Sequence, residues 1–287
     1  MPGTYTSIVV DPVSPNVGAM ISGVDLADIT DVQFAEIRQA FINHGVVFFR
    51  DQVLTEEEHI RFAQRWGEID VNRFFHPVDG YPQIAEVRKE PEQKANIGSK
   101  WHTDHSYDQV PAMGSVLYAR IVPPTGGDTI FASTCAAYED LDDDLKARLS
   151  TMTAQHTNRI VFGQLDDLDA ETKADLGDRL SNAHLAVDDA FHPVVIRHPL
   201  SGRPSLFMNG EFTVSIDGMS DDESASLIEQ LDDHIHQDQY TYRFSWEPGS
   251  MAIWDNRATH HKAINDYEGQ RRLMHRITVK GEPLTSA

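Results

Sequence analysis

The chain has 287 residues, 40% of them hydrophobic, which is enough for one large domain with a substantial core. Lys plus Arg is 24 against 45 for Asp plus Glu, a formal charge of -21, and this excludes the basic footprint that nucleic acid or an anionic membrane surface requires. The single cysteine, Cys135, rules out an intramolecular disulfide and reads as a small core hydrophobe in a reducing, cytoplasmic compartment.

Met1-Pro2-Gly3-Thr4 lacks the basic start and apolar core of a signal peptide. Short strands are expected over residues 7–10 and 19–24. Residues 31–43 have helical spacing, with Phe34, Ile37, Phe41 and Ile42 on one stripe, and Gly45 ends them. Val46-Val47-Phe48-Phe49 reads as a buried strand, far too short to span a bilayer. Thr55-Glu56-Glu57-Glu58 is a capping box that opens a helix through Arg65, with Gly67 as the stop. A short strand follows at 84–87. From Gly114 the pattern is β: 115–122, a turn at Pro123-Pro124-Thr125-Gly126-Gly127, then 128–131. A helix is expected over 136–149. Residues 164–189 are acidic and poor in aromatics, and are expected to form a surface insert, with a lid as the functional alternative. Strands are expected at 194–197 and 205–207. Ser220-Asp221-Asp222-Glu223 is a second capping box, opening a helix through about His236. The last strands are 240–246, 251–254 and 273–279. No domain boundary is visible. Strands separated by turns, with helices at the start and in an insert, predict a single mainly β domain with helical additions (α+β), a double-sheet jelly roll.

The chemistry centres on Trp101-His102-Thr103-Asp104-His105. In an extended strand, i and i+2 point to one face. His102 and Asp104 therefore project together, two-thirds of a 2-His-1-carboxylate site that leaves metal positions open. With 14 His in an acidic chain, a chance His-x-Asp is expected as well. His236-Gln237-Asp238 is that chance match, because i and i+2 do not share a helix face. It is expected to be solvated.

Trp254-Asp255-Asn256-Arg257-Ala258-Thr259-His260-His261 supplies late histidines at 260 and 261. Arg271, Arg272 and Arg276 follow in a chain poor in basic residues. Arg272 and Arg276 are separated by an even number, so they share a strand face, and a guanidinium fork suits a carboxylate. Gly126-Gly127-Asp128-Thr129 is by itself a good turn, and also delivers a hydroxyl to a strand start.

Together these pieces resemble the taurine dioxygenase and 2,4-dichlorophenoxyacetate dioxygenase family of Fe(II)/2-oxoglutarate oxygenases, over nearly the whole chain. The resembling segments are Gly18-Ala19-Met20-Ile21-Ser22-Gly23-Val24-Asp25-Leu26, the Trp-His-Thr-Asp motif, Gly-Gly-Asp-Thr, Trp-Asp-Asn-Arg and the closing arginines. The resemblance implies a double-stranded β-helix of the clavaminate synthase-like type. It implies Fe(II) held by His102, Asp104 and His261, with His260 as the neighbouring alternative. It implies 2-oxoglutarate and O2 as cosubstrates, with Arg272 gripping the distal carboxylate and Thr129 assisting. It implies a small anionic organic substrate (a sulfonate, sulfate ester or carboxylate) met by Arg276, His76 and Tyr107. A homo-oligomer, dimer or tetramer, is the expected assembly. Two positions depart from the taurine enzymes on the substrate side: Asp79 replaces a tyrosine and Gly98 an asparagine. Two rival readings are a non-catalytic metal-binding jelly roll, which has no need of Arg272 and Thr129, and a metallohydrolase using Asp255 as base.

Overall fold

The computed structural model describes residues 5–165 and 167–287. The N-terminal motif Met1-Pro2-Gly3-Thr4 and Asp166 of the expected insert lie outside the described residues. The main sheet runs Val9–Pro12, Ala19–Ser22, Val46–Phe49, Met251–Asp255, Gly114–Ile121, Arg272–Val279, Tyr81–Lys89, Pro77–Val78, and Ile69–Asp70 pairs with Arg272–Val279 off this path. Ala19–Ser22 and Val46–Phe49 pair in parallel, while the other pairings are antiparallel. A second sheet is Thr241–Phe244, Thr129–Ser133, Thr259–Ala263.

Alternation along the strands builds a layer on each side of the main sheet. Val47, Phe49, Val116, Ile253 and Ile277 face one way, against Ile37 and Phe41 of the helix Asp31–His44 and Phe62 of the helix Glu56–Gln64. Val46, Phe48, Leu117, Trp254 and Met274 face the other way and pack on Phe131 and Phe244 of the second sheet. Phe48 stacks on Phe244 with ring centroids 4.2 Å apart. The result is the expected mainly β double-stranded β-helix, a jelly roll with helical additions. The capping boxes at Thr55 and Ser220 both form.

Two local expectations change. The single helix expected over 136–149 is two, Thr134–Glu139 and Asp143–Leu149. Asp142 breaks it, because its side chain accepts the Leu145 N–H at 2.8 Å and caps the second helix. A further three-stranded sheet, Asp189–Pro193, Thr153–Thr157, Thr213–Ile216, was not expected at all. Within 164–189, Ala170–Leu176 is a short helix, and Arg179 is buried with its guanidinium on the carbonyls of Ala95, Asp175 and Leu176. Among the described residues no helix is long and apolar enough to cross a membrane.

One crossing between the sheets matters for the site. The chain leaves the main sheet at Asp255 and enters the second sheet at Thr259. Asp255 is 1% exposed and accepts from Arg257 Nε at 2.8 Å, Arg257 Nη2 at 2.9 Å, the Arg257 backbone N–H at 2.9 Å and His198 Nε2 at 2.9 Å. The carboxylate is saturated by its partners, which leaves no role for it as a base at a metal-bound water. Burial pushes its pKa up, but Arg257 and His198 override burial and hold it well below the usual carboxylate range. Asp255→Ala leaves Arg257 buried without its partner and should lower stability by about 3–5 kcal/mol in chemical denaturation. A depressed pKa means that this contribution is present above the ordinary value of 3.8 and is lost as pH falls beneath it. A mutant as stable as the parent at neutral pH would refute the anchoring role.

Candidate active site

The two histidines meet through their backbones. His102 N–H donates to the His261 carbonyl at 3.1 Å, and His261 N–H to the His102 carbonyl at 2.8 Å. Their rings lie 4.1 Å apart. The extended strand expected for the motif does not form: His102 makes one bridge, to His261, and Asp104 begins a turn, while Thr103 donates to the Asn256 carbonyl at 2.6 Å and Asp104 still comes beside His102. One donor atom from each of His102, Asp104 and His261 lies within 4.8 Å of the others. His102 Nε2 is 3.8 Å from Asp104 Oδ1, and His261 Nε2 is 3.9 Å from Oδ2. These gaps are too long for hydrogen bonds and suit one small cation between the three donors.

Both histidine rings are held in place. His102 Nδ1 donates to the Lys100 carbonyl at 2.9 Å, which leaves Nε2 bare toward Asp104. Burial, then the neighbouring His102, lowers the pKa of His261 well below the ordinary value. Its ring is set by packing, 4.6 Å from Trp254 and 6.2 Å from Phe131, since Nδ1 has no hydrogen-bond partner. Asp104 is 6% exposed. Burial pushes its pKa up, but Arg276, with His261 and His102 behind it, holds it well below the usual range. Arg276 Nη1 donates to Oδ1 at 3.2 Å and Ser115 Oγ to Oδ2 at 2.8 Å. Two imidazoles and a carboxylate on one side, with a cavity on the other, fit a divalent transition metal that keeps open positions.

That cavity has a volume of about 370 Å³, and His102, Asp104, His261, Thr129, Arg272, Tyr107 and Arg276 all line it. Arg272 and Arg276 share the face that the even spacing predicts. Arg271 is exposed and pairs with Glu90 at 3.1 Å. Arg272 is 7% exposed, its Nε has no hydrogen-bond partner, and its guanidinium carbon lies 5.9 Å from the Trp246 ring centre. Burial lowers its pKa, and Tyr267 and Asp128 oppose this. Thr129 Oγ1 accepts from Trp246 Nε1 at 3.0 Å, so its own hydrogen is available to donate into the cavity. Gly127, at φ +73°, would put a Cβ 3.2 Å from the Arg272 side chain, which explains a glycine in this turn. A buried guanidinium with no ion pair among the described residues, beside a hydroxyl free to donate, suits a carboxylate.

The cavity departs from the expectations at three points. His76 is not among the lining residues; Phe75 lines the wall, and the His76 backbone is tied to Arg179 and Glu86. His260 alternates away from the cavity. His236 is not solvated: it stacks on Trp101 at 4.2 Å and its Nε2 lies 3.1 Å from His260 Nδ1, because a distant tryptophan folds onto the helix end. Asp238 is exposed, as expected. Asn72, Arg88, Lys89, His105 and Arg179 also line the cavity and were missed. Lys89 had a usable signal, the scarcity of basic residues, and it sits directly across from Arg272 in the strand pairing. His105 follows the motif and takes φ +60°, an uncommon conformation that turns its ring from the strand face toward Asp108, 2.9 Å away.

Residues 10–278 match the family described as Taurine catabolism dioxygenase TauD, TfdA family. The chain is 36% identical over 276 residues to an alpha-ketoglutarate-dependent sulfate ester dioxygenase of Pseudomonas putida, covering 95% of this chain and 89% of the relative. It is 34% identical over 279 residues to an (S)-phenoxypropionate/alpha-ketoglutarate-dioxygenase of Sphingobium herbicidovorans, covering 95% and 94%. A crystal structure of a putative alpha-ketoglutarate-dependent taurine dioxygenase from Burkholderia xenovorans superposes with a TM-score of 0.83 at 34% identity, covering 98% of this chain and 95% of that one.

Ser115, on the main sheet, was also not foreseen. A hydrogen bond to a charged acceptor contributes about 1.5–3 kcal/mol. Ser115→Ala should therefore lower stability by about that amount in urea unfolding, and an unchanged midpoint would mean that the hydroxyl does not hold Asp104.

Proposed function

Because the chain belongs to the Taurine catabolism dioxygenase TauD, TfdA family and is a 2-oxoglutarate-dependent dioxygenase, we propose that it uses Fe(II), held by His102, Asp104 and His261, to hydroxylate a small organic anion, a sulfate ester foremost. One observation carries the reading: a single cavity holds the three-donor cluster and two buried arginines from one strand face. The metal, when bound, supplies activation of O2 coupled to decarboxylation of 2-oxoglutarate to succinate and CO2.

The chain's residues orient and neutralise. Arg272 takes the distal carboxylate of 2-oxoglutarate as a charge-assisted fork, and Thr129 donates its free hydrogen to the same group. Arg276 shares Asp104 with the cluster. A cation that draws on that carboxylate leaves Arg276 free to pair with the anionic head of the substrate. Beside it stands an apolar wall that includes Leu165, Leu168, Leu176, Leu180 and Phe162, a surface suited to an alkyl or aryl body. Oxygen inserted at the carbon next to the ester oxygen gives a hydroxylated ester, which loses sulfate to leave an aldehyde. A second reading, an aryloxyalkanoate substrate, is favoured by the rings of Phe75, Tyr107, Phe162 and Phe212 on the same cavity. The buried thiol of Cys135 suits the cytoplasm as its proposed compartment.

Arg272→Ala should weaken 2-oxoglutarate binding by about tenfold to several hundredfold, the equivalent of about 1.5–3 kcal/mol or somewhat more. Arg271→Ala, on the exposed face, should leave it nearly unchanged. Equal losses from both mutants would remove the assigned role.

A panel of alkyl sulfates, sulfonates and aryloxyalkanoates, assayed for stimulated succinate release with Fe(II), 2-oxoglutarate and O2, tests the substrate class. Arg276→Ala should lower kcat/KM for the active anion by roughly 10–1000-fold, while an uncharged analogue loses far less. If no anion stimulates succinate release, or if the mutant treats anion and analogue alike, the proposed substrate class fails.

A further inference from the structure

We propose that Asp232, His236 and His260 form a second divalent-cation site, of the class that binds Zn2+, behind the cavity and separate from it. Asp232 and His236 are four apart at the end of the helix Asp221–Ile235, on one face. His260 comes from the strand Thr259–Ala263, on the face opposite His261. One donor atom from each lies within 4.8 Å of the other two.

Lys262, from the strand of His260, acts on His236, but the Asp232 carboxylate has no cation paired with it among the described residues. Asp232 Oδ1 is buried with no hydrogen-bond partner, and Oδ2 accepts the Gly210 N–H at 3.0 Å. Among the described residues no lysine or arginine forms an ion pair with it. Burial pushes its carboxyl up to about 7, the state of a carboxylate without a countercharge. Without an ion the two imidazoles share one hydrogen bond, His236 Nε2 to His260 Nδ1 at 3.1 Å, which a cation would replace by taking both nitrogens with the carboxylate. The His236 ring lies flat on Trp101, with an interplanar angle of 5°, so its direction is fixed before any ion arrives. Two nitrogens and one oxygen are a donor set that suits a zinc ion. The placement has a consequence. Trp101 precedes His102 and His260 precedes His261, so an ion here ties together the two segments that carry the histidines of the first cluster.

The test uses the full chain stripped by chelation and titrated with Zn2+, with bound metal measured directly. His102→Ala/Asp104→Ala removes the first cluster. This variant should still bind one equivalent, show the strong visible absorption of four-coordinate Co2+ when cobalt replaces zinc, and melt at higher temperature with Zn2+ present. Adding Asp232→Asn, which keeps shape and removes charge, should abolish the equivalent, the absorption and the thermal shift. Adding His236→Ala instead should do the same. The proposal is overturned if the His102→Ala/Asp104→Ala chain binds no Zn2+, or if its equivalent survives both additions.

Discussion

Asp104 is a carboxylate in a place where water is scarce, and much of the architecture serves to keep it charged there. Burying an ionised carboxylate costs several kcal/mol unless partners replace its hydration. Here the partners arrive from separate strands. Arg276 comes from Arg272–Val279, Ser115 from Gly114–Ile121 and His261 from Thr259–Ala263. No local segment could assemble that shell. It exists because the two sheets close face to face and the backbone pair between His102 and His261 ties the motif to the second sheet.

The same strand also sets up the opposite imbalance. Arg272, Met274 and Arg276 point to one face. Met274 fills the inter-sheet core, and the two guanidiniums flank it. Arg276 pairs with a carboxylate, and among the described residues no carboxylate forms an ion pair with Arg272. A charge of -21 repels anions from afar, but salt screens that repulsion beyond roughly 8–10 Å. Local positive charge therefore decides what enters. The dianionic 2-oxoglutarate therefore meets Arg272, the guanidinium not yet paired, before Arg276, which is held on Asp104.

Much of this was legible from spacing. The even separation of Arg272 and Arg276 survives because strand geometry leaves side chains no freedom of face; His102 and Asp104 also come together, but outside any strand, with His102 in a single bridge to His261 and Asp104 in the turn that follows. The capping boxes were legible for a similar reason: Thr55 and Ser220 satisfy backbone donors within four residues. The strand Thr153–Thr157 was not legible. Its inward positions are Ala154 and His156, and a fully buried histidine counts as polar in any periodicity. The helix break at Asp142 was visible in principle, since Asp140-Leu141-Asp142 offers a cap, but helical spacing on either side masked it. His236 was misjudged because the ring that covers it, Trp101, is remote in sequence. Pocket residues such as Asn72 and Arg179 carry no motif, and only the fold brings them to the wall.

Asp255 offers the instructive contrast with Asp104. Both carboxylates are almost fully buried, both are held far below the usual range, and both have an arginine and a histidine for company. Perturbed ionisation therefore does not distinguish them. What distinguishes them is saturation. Asp255 accepts four hydrogen bonds, two of them a bidentate fork from Arg257, and lines no part of the cavity. Asp104 accepts two, and its remaining lone pairs face two bare imidazole nitrogens at 3.8 and 3.9 Å. Those distances are too long for hydrogen bonds and too short for water to intervene, so the two imidazole nitrogens and the carboxylate converge without bonding to one another. Three donor atoms aimed at one point are a natural seat for a cation. Asp255 thus fixes the crossing that carries His261 into place, and Asp104 is left with the coordination that the crossing makes possible.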